Sequence, residues 1–156
     1  MARVMCFCLF LVISASSALA AEFAGAVTDV LNGDTIEVMN GSGPMRVRLF
    51  GVECPDLNQP FGTTARYFTS TLVLGRQVLV NVFGADAEGR PLGEVALADG
   101  TRLNHELLRS GLAWWNRQSA PNNDSLWKLE LDARTERRGL WQDSDPIPPW
   151  EWKKGF

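Results

Sequence analysis

Histidine and cysteine are scarce in this chain. Its 156 residues hold one histidine and three cysteines, and two of those, Cys6 and Cys8, fall within the first twenty residues. Too few are left for a zinc centre built from Cys and His ligands. A basic surplus is also missing: 15 Lys and Arg stand against 18 Asp and Glu, a net charge of −3. No global positive field draws in a polyanion, so attraction to one must come from a local basic patch or a bound cation. There is no internal repeat, no linker and no sign of a second domain. The apolar run from Val4 to Ile13 is short for a bilayer span.

That run has the marks of a secretory signal peptide over residues 1–20. Arg3 supplies a positive n-region, and Ala18-Leu19-Ala20 is a small-x-small cleavage site. The residues before Cys8 are Met5-Cys6-Phe7, with no small neighbour of the kind a lipoprotein has. Cleavage removes one base and no acid, so 14 bases would face 18 acids, a net of −4. It also leaves Cys54 alone, and an intrachain disulfide is then impossible even where export permits one. The mature core must hold by packing. At 46% hydrophobic residues, the composition suits one compact domain.

One stretch organises what is present: Val47 to Asp56, read with Asn32 to Ile36 upstream. Val47 and Leu49 alternate with Arg46 and Arg48, which predicts a strand with one apolar and one doubly basic face. Pro55 stops it, having no N–H for the ladder. Glu53 and Asp56 bracket that stop, and Asp34 follows the Asn32-Gly33 turn. Carboxylates gathered beside a guanidinium can hold a hard cation and an anionic substrate together.

Taken in order, the pattern predicts strands over Phe23–Val30, Thr35–Met39 and Met45–Phe50, joined by tight turns at Asn32-Gly33 and Asn40–Pro44. A helix follows over Gly62–Leu74, with Ala65, Phe68 and Leu72 on one stripe and Gly75 as its stop. Strands are expected at Gln77–Phe83 and Pro91–Leu97. Short helices are expected at Leu103–Ser110 and Ser125–Arg138. Five strands with a helix after the third suit a mainly β fold, a five-stranded Greek-key barrel of the oligonucleotide-binding (OB) type with three helices. Residues 21–145 form that domain, and 146–156 are expected as an extended C-terminal tail packed on the surface.

Four local patterns then resemble the thermonuclease family, whose type member is staphylococcal nuclease. Asn32-Gly33-Asp34-Thr35 is similar to its Asp-Gly-Asp-Thr turn. Arg48 to Asp56 is similar to its Arg-Leu-x-Gly-Ile-Asp-x-Pro-Glu loop. Asp86 to Arg90 is similar to its Asp-x-Tyr-Gly-Arg turn. Asn104 through Gly111-Leu112-Ala113 to Pro121-Asn122-Asn123 is similar to its Asn-Glu-x-Leu, Gly-Leu-Ala and Pro-Asn-Asn segments. Four such patterns in family order are far more specific than any one.

The resemblance implies a secreted or periplasmic monomer that hydrolyses phosphodiester bonds of DNA and RNA with Ca²⁺ and little sequence preference. It implies Asp34 and Glu53 as carboxylate ligands, with Cys54 offering its backbone carbonyl. It implies Arg48 and Arg90 as the phosphate clamp and Asp56 in the place of the general base. Oxygen ligands on loops suit Ca²⁺. The family's flanking tyrosines are missing: Glu88 stands in one such place and Arg117 near another. Trp115 and Arg117, with Trp114, are candidates to hold the nucleotide by ring and guanidinium faces. The loop from Asp56 to Phe61 is short and has no lysine.

Two further departures bear on catalysis. Glu53 stands where the family has Asp, and Asp56 where it has Glu. Each swap moves a carboxylate by about one C–C bond, roughly 1.5 Å. They either compensate or weaken the chemistry, and the second case leaves a nucleic-acid-binding module of the same fold. By contrast, Cys54 reads as a small buried residue and His105 as exposed and idle. Trp141, Trp150 and Trp152 read as packing for the C-terminus, and Arg134, Arg137 and Arg138 as a solvated helix end.

Overall fold

The computed structural model describes residues 21–155. The expected signal peptide lies outside the described residues. Five strands close into a barrel: β1 (Ala21–Asn32), β2 (Thr35–Asn40) and β3 (Gly43–Leu49), then β5 (Gln77–Ala85) and β6 (Pro91–Leu97). The long β1 makes closure possible. Its first half pairs with β5 and its second with β2, both antiparallel. β2 with β3 and β5 with β6 are antiparallel too, and only the β3–β6 seam is parallel, with Arg48 of β3 opposite Leu92 of β6. This is the expected barrel, closed in the order β1-β2-β3-β6-β5.

The alternation read from sequence sets the barrel interior. Val47 and Leu49 are buried while Arg46 and Arg48 face the other way, and Val78, Val80, Val95 and Ile36 fill the centre. Val82 is only partly buried and packs against the core from its edge. Three helices of seven or more residues cover the barrel: α1 (Gly62–Val73), α2 (Leu103–Arg109) and α3 (Asp124–Thr135). α1 buries Ala65, Thr69 and Val73, and the Thr69 hydroxyl donates to the carbonyl of Gly33 at 2.7 Å. That bond ties the helix to the β1–β2 turn that carries Asp34.

α3 stops at Thr135, short of the expected Arg138. Arg137 takes a left-handed φ of 52°. Its N–H donates to the Arg134 carbonyl at 3.1 Å, and that of Arg138 donates to Ala133 at 2.9 Å. These are the two bonds of a Schellman closure, here with an arginine in place of the usual glycine. At the other end, the Asn123 side chain caps α3 by accepting from the Leu126 N–H.

Two features differ from expectation and bear on function. A second, two-stranded sheet pairs β4 (Val52–Glu53) with β7 (Trp114–Trp115). The C-terminal segment packs as expected but does not stay extended, since Pro149–Trp152 coils into α4. Trp114 meets Trp141 edge to face at 5.5 Å and Trp150 at 6.4 Å, and the Gln59 side chain donates to the Ile147 carbonyl. His105 is not exposed as expected: it is half-buried near Glu94, and burial holds its imidazole below the usual range. Among the described residues no helix is long and apolar enough to cross a membrane.

Asn104 locks the seam between barrel and loop. Fully buried on α2, it accepts from the Val95 N–H and donates to the carbonyls of Phe50 and Gly93. Asn104→Leu would leave these groups unpaired inside the protein, and urea unfolding should show a loss of about 3 kcal/mol.

Candidate active site

The site is built on the end of β3 and the turn before β2. Arg48 leaves the barrel wall on the face opposite Val47 and Leu49. Its Nη2 lies 3.4 Å from Asp34 Oδ2 and 3.4 Å from Glu53 Oε1, so one nitrogen serves two carboxylates. All three side chains are sheltered, with exposures of 18% for Arg48, 3% for Asp34 and 12% for Glu53.

Each carboxylate is oriented by neighbours. Asp34 Oδ2 also accepts from the Cys54 N–H at 2.7 Å, and Oδ1 accepts from the Thr35 hydroxyl at 3.1 Å. Glu53 Oε2 accepts from Asn116 Nδ2 at 3.0 Å. Asn116 follows β7, and its N–H donates to the Gly51 carbonyl at 2.9 Å, so the small sheet aims it at Glu53. Asn116 carries no motif signal in the sequence.

Two glycines permit this approach. A Cβ on Gly33 would lie 2.7 Å from both Cβ and Sγ of Cys54, so only glycine lets the Asp34 turn sit under that residue. Gly51 has a φ of +74° and packs its Cα against Leu126, where a Cβ would come within 2.4 Å of Cδ1. There the chain turns from β3 into β4.

Burial and charge compete in the cluster. Burial pushes the Glu53 carboxyl up, with Arg48 opposing it and Asp34 adding to it. Burial alone would lower Arg48, but Asp34 and Glu53 hold its net shift upward, so it stays a fixed cation. Burial drives the Cys54 thiol well above its ordinary value, with the Asp34 charge adding to the effect. Cys54 therefore sits in the site as an inert thiol, oriented to give its N–H to Asp34.

The other expected residues stand around this cluster. Asp56 makes no direct contact with Arg48 among the described residues; its Oδ1 and Glu53 Oε1 both lie 3.7 Å from Nζ of Lys153. Arg90 sits just before β6, two residues ahead of the Leu92 that pairs with Arg48. Its Nε donates to Asp86 Oδ2 at 2.6 Å and its Nη2 to Glu88 at 3.0 Å. Asp86 and Arg48 line one cleft, and Arg90, bonded to Asp86, makes no direct contact with Arg48 among the described residues. Asn116 and Gln118 join that cleft to a second one lined by Glu53, Trp115, Arg117 and Trp150. Trp115 is only 9% exposed, and the Arg117 guanidinium covers its ring at 4.7 Å. A ligand entering there would meet Arg117 before the indole. The solvated arginines of α3 are partly engaged, since Arg134 stacks on Trp141 at 4.0 Å and bonds to the buried Glu130.

The thiol gives a direct check on the packing. Native protein should resist alkylation at Cys54 and label there only in denaturant, as peptide mass mapping would show. Because the folded thiol titrates above the unfolded value of 9.0, folding stability should fall as pH rises past that value. The fall should be smaller in Cys54→Ala when the two proteins are unfolded side by side.

Comparison with known proteins agrees with this geometry. A family model described as staphylococcal nuclease homologue matches residues 46–143, which include Arg48, Glu53, Asp56 and Arg90. An "uncharacterized endonuclease" of Escherichia coli O157:H7 is 40% identical over 136 residues, covering 86% of this chain and 88% of its own. "Protein ParB" of Escherichia coli is 34% identical over 143 residues, 86% of this chain and 81% of its own. A "micrococcal nuclease" of Shigella flexneri is 33% identical over 143 residues, with 86% and 82% covered. With the barrel closed in the expected order and the matched segment running through the Arg48 cluster, the chain belongs to the staphylococcal nuclease homologue family.

Proposed function

We propose that the protein is an exported, Ca²⁺-dependent nuclease that hydrolyses phosphodiester bonds of DNA and RNA with little sequence preference. The observation that carries this reading is the sheltered guanidinium of Arg48 shared between Asp34 and Glu53. Two sheltered carboxylates on one guanidinium leave negative charge in excess, and every ligand atom is oxygen. Each carboxylate has about four acceptor positions, and three are taken on each. Such a set fits a hard divalent ion held by Asp34, Glu53 and the Cys54 carbonyl, with water completing the shell. When bound, the ion would stabilise charge on the phosphate.

The chain's own groups do the rest. Arg48 meets an equatorial phosphate oxygen with nitrogens not used by the carboxylates. Asp86 holds Arg90 by Nε, which leaves its outer nitrogens for the anion once the exposed Glu88 is displaced. Asp56, which shares Lys153 with Glu53, orients the attacking water and accepts its proton. Arg117 stands where a neighbouring nucleotide would lie.

A second reading has a specific observation behind it. Asp56 carries the shorter side chain and is paired with a lysine, away from Arg48. On that reading the protein holds nucleic acid and cuts it poorly.

Purified mature protein incubated with single-stranded DNA or RNA should cleave both in Ca²⁺ and neither in excess chelator. Arg48→Ala and Arg90→Ala should each lower the rate about 100-fold or more. Retention of nucleic acid without cleavage in any divalent ion would overturn the nuclease reading in favour of the module. If the two carboxylate swaps compensate, restoring Asp at 53 and Glu at 56 together should leave kcat/KM within about threefold, and a rise of tenfold or more would show that they had weakened the site.

A further inference from the structure

Lysine is rare in this chain. Only Lys128, Lys153 and Lys154 occur, and two of these are adjacent near the C-terminus. One of that pair is placed in the acidic site. Lys153 Nζ lies 3.7 Å from Glu53 Oε1 and 3.7 Å from Asp56 Oδ1. Its position is set by packing. Pro148 leads into α4, Trp150 rests edge to face on Trp114 at 6.4 Å, and the Ile147 carbonyl is held by Gln59. Gln59 is itself buried in the loop that follows Asp56. The same Trp150 lines the cleft that contains Glu53 and Arg117. Ile147, Trp150 and Lys153 lie beyond residues 46–143, the span of the family match.

We infer that Lys153 is a substrate-positioning residue that holds a phosphate of the nucleic-acid strand next to the reacting one. Around the site Asp34, Glu53 and Asp56 face Arg48 and Lys153, so one negative charge is in excess. Among these five groups a divalent ion reverses the sign only if Lys153 is present; without it the charges of the rest and the ion sum to zero, and the pull on a neighbouring phosphate is weaker. At 3.7 Å the ammonium is in Coulomb contact with both carboxylates but beyond a good hydrogen bond, and it is 53% exposed. It can therefore turn from them to a phosphate oxygen without leaving a buried charge unpaired. The loop from Leu57 to Phe61 has no cation to do this, and the C-terminal segment supplies one across its edge. The inference rests on the nuclease reading for its substrate class.

The test is binding of a non-cleavable phosphorothioate single strand to the full mature chain in Ca²⁺, measured by anisotropy across a salt series. Lys153→Gln should weaken binding about five- to tenfold. It should also lower the slope of log affinity against log salt by about 0.7, the share of one phosphate contact on a single strand. Lys153→Arg should restore the slope. Lys154→Gln makes the same change in net charge and should leave the slope near the parent value, since Lys154 forms no ion pair among the described residues. Trp150→Ala should reproduce part of the loss by releasing α4. Unchanged or tighter binding in Lys153→Gln would overturn the inference and mark Lys153 as a competitor of the cation. Parent protein that cleaves while Lys153→Gln binds normally refutes the inference alone. Parent protein that never cleaves but shows the Lys153-dependent slope refutes the nuclease reading alone.

Discussion

Arg48 shared between Asp34 and Glu53 is the interaction on which the rest of the structure depends. The three groups come from the β1–β2 turn, the end of β3 and the end of β4, and the one guanidinium links both carboxylates. Removing the guanidinium would leave two sheltered carboxylates facing each other, which costs several kcal/mol. Such a cluster survives only where the scaffold fixes it from several sides. Here the Cys54 and Asn116 donors, the Thr35 hydroxyl and the Thr69 bond to the turn supply that support. The same frustration leaves the site ready for a cation, which would relieve the negative charge that the protein alone leaves in excess and so make room for an anion beside it.

Distance from the chemistry does not mean irrelevance to it. The pairing of β4 with β7 aims Asn116 at Glu53 and also brings Trp114 under the C-terminal segment. One small sheet thus connects the acidic cluster, the Arg117 cleft and the α4 helix. Glu130, buried on α3, accepts from the Trp115 N–H and from Arg134, and so carries that sheet onto the last helix. The tryptophans act as mechanical links in this chain of contacts, and the indole expected to stack on a base is instead covered by a guanidinium.

Net charge and site charge also separate. The chain as a whole is acidic. Four of its cations stand at or near the site: Arg48 inside the cluster, Arg90 held by Asp86, Arg117 over Trp115 and Lys153 beside the carboxylates. Screening confines such local patches to about 8 Å at physiological ionic strength, so they act on a strand already at the surface.

The sequence alone determined the barrel and the core cluster. Alternation in Val47–Leu49 fixes which side of β3 is wet, the Asn32-Gly33 turn fixes the hairpin, and Pro55 ends the strand; all three are local constraints on the backbone. The motif order marked Asp34, Arg48, Glu53 and Arg90 for the same reason, because short-range geometry leaves short-range signatures. Tertiary structure decided the rest. The β4–β7 sheet joins residues some sixty positions apart, Asn116 and Lys153 carry no local pattern, and the end of α3 turns on one arginine in a left-handed conformation. Which residue faces which across the site depends on long-range packing of Trp114, Trp150 and Gln59, and no local periodicity or motif records such contacts.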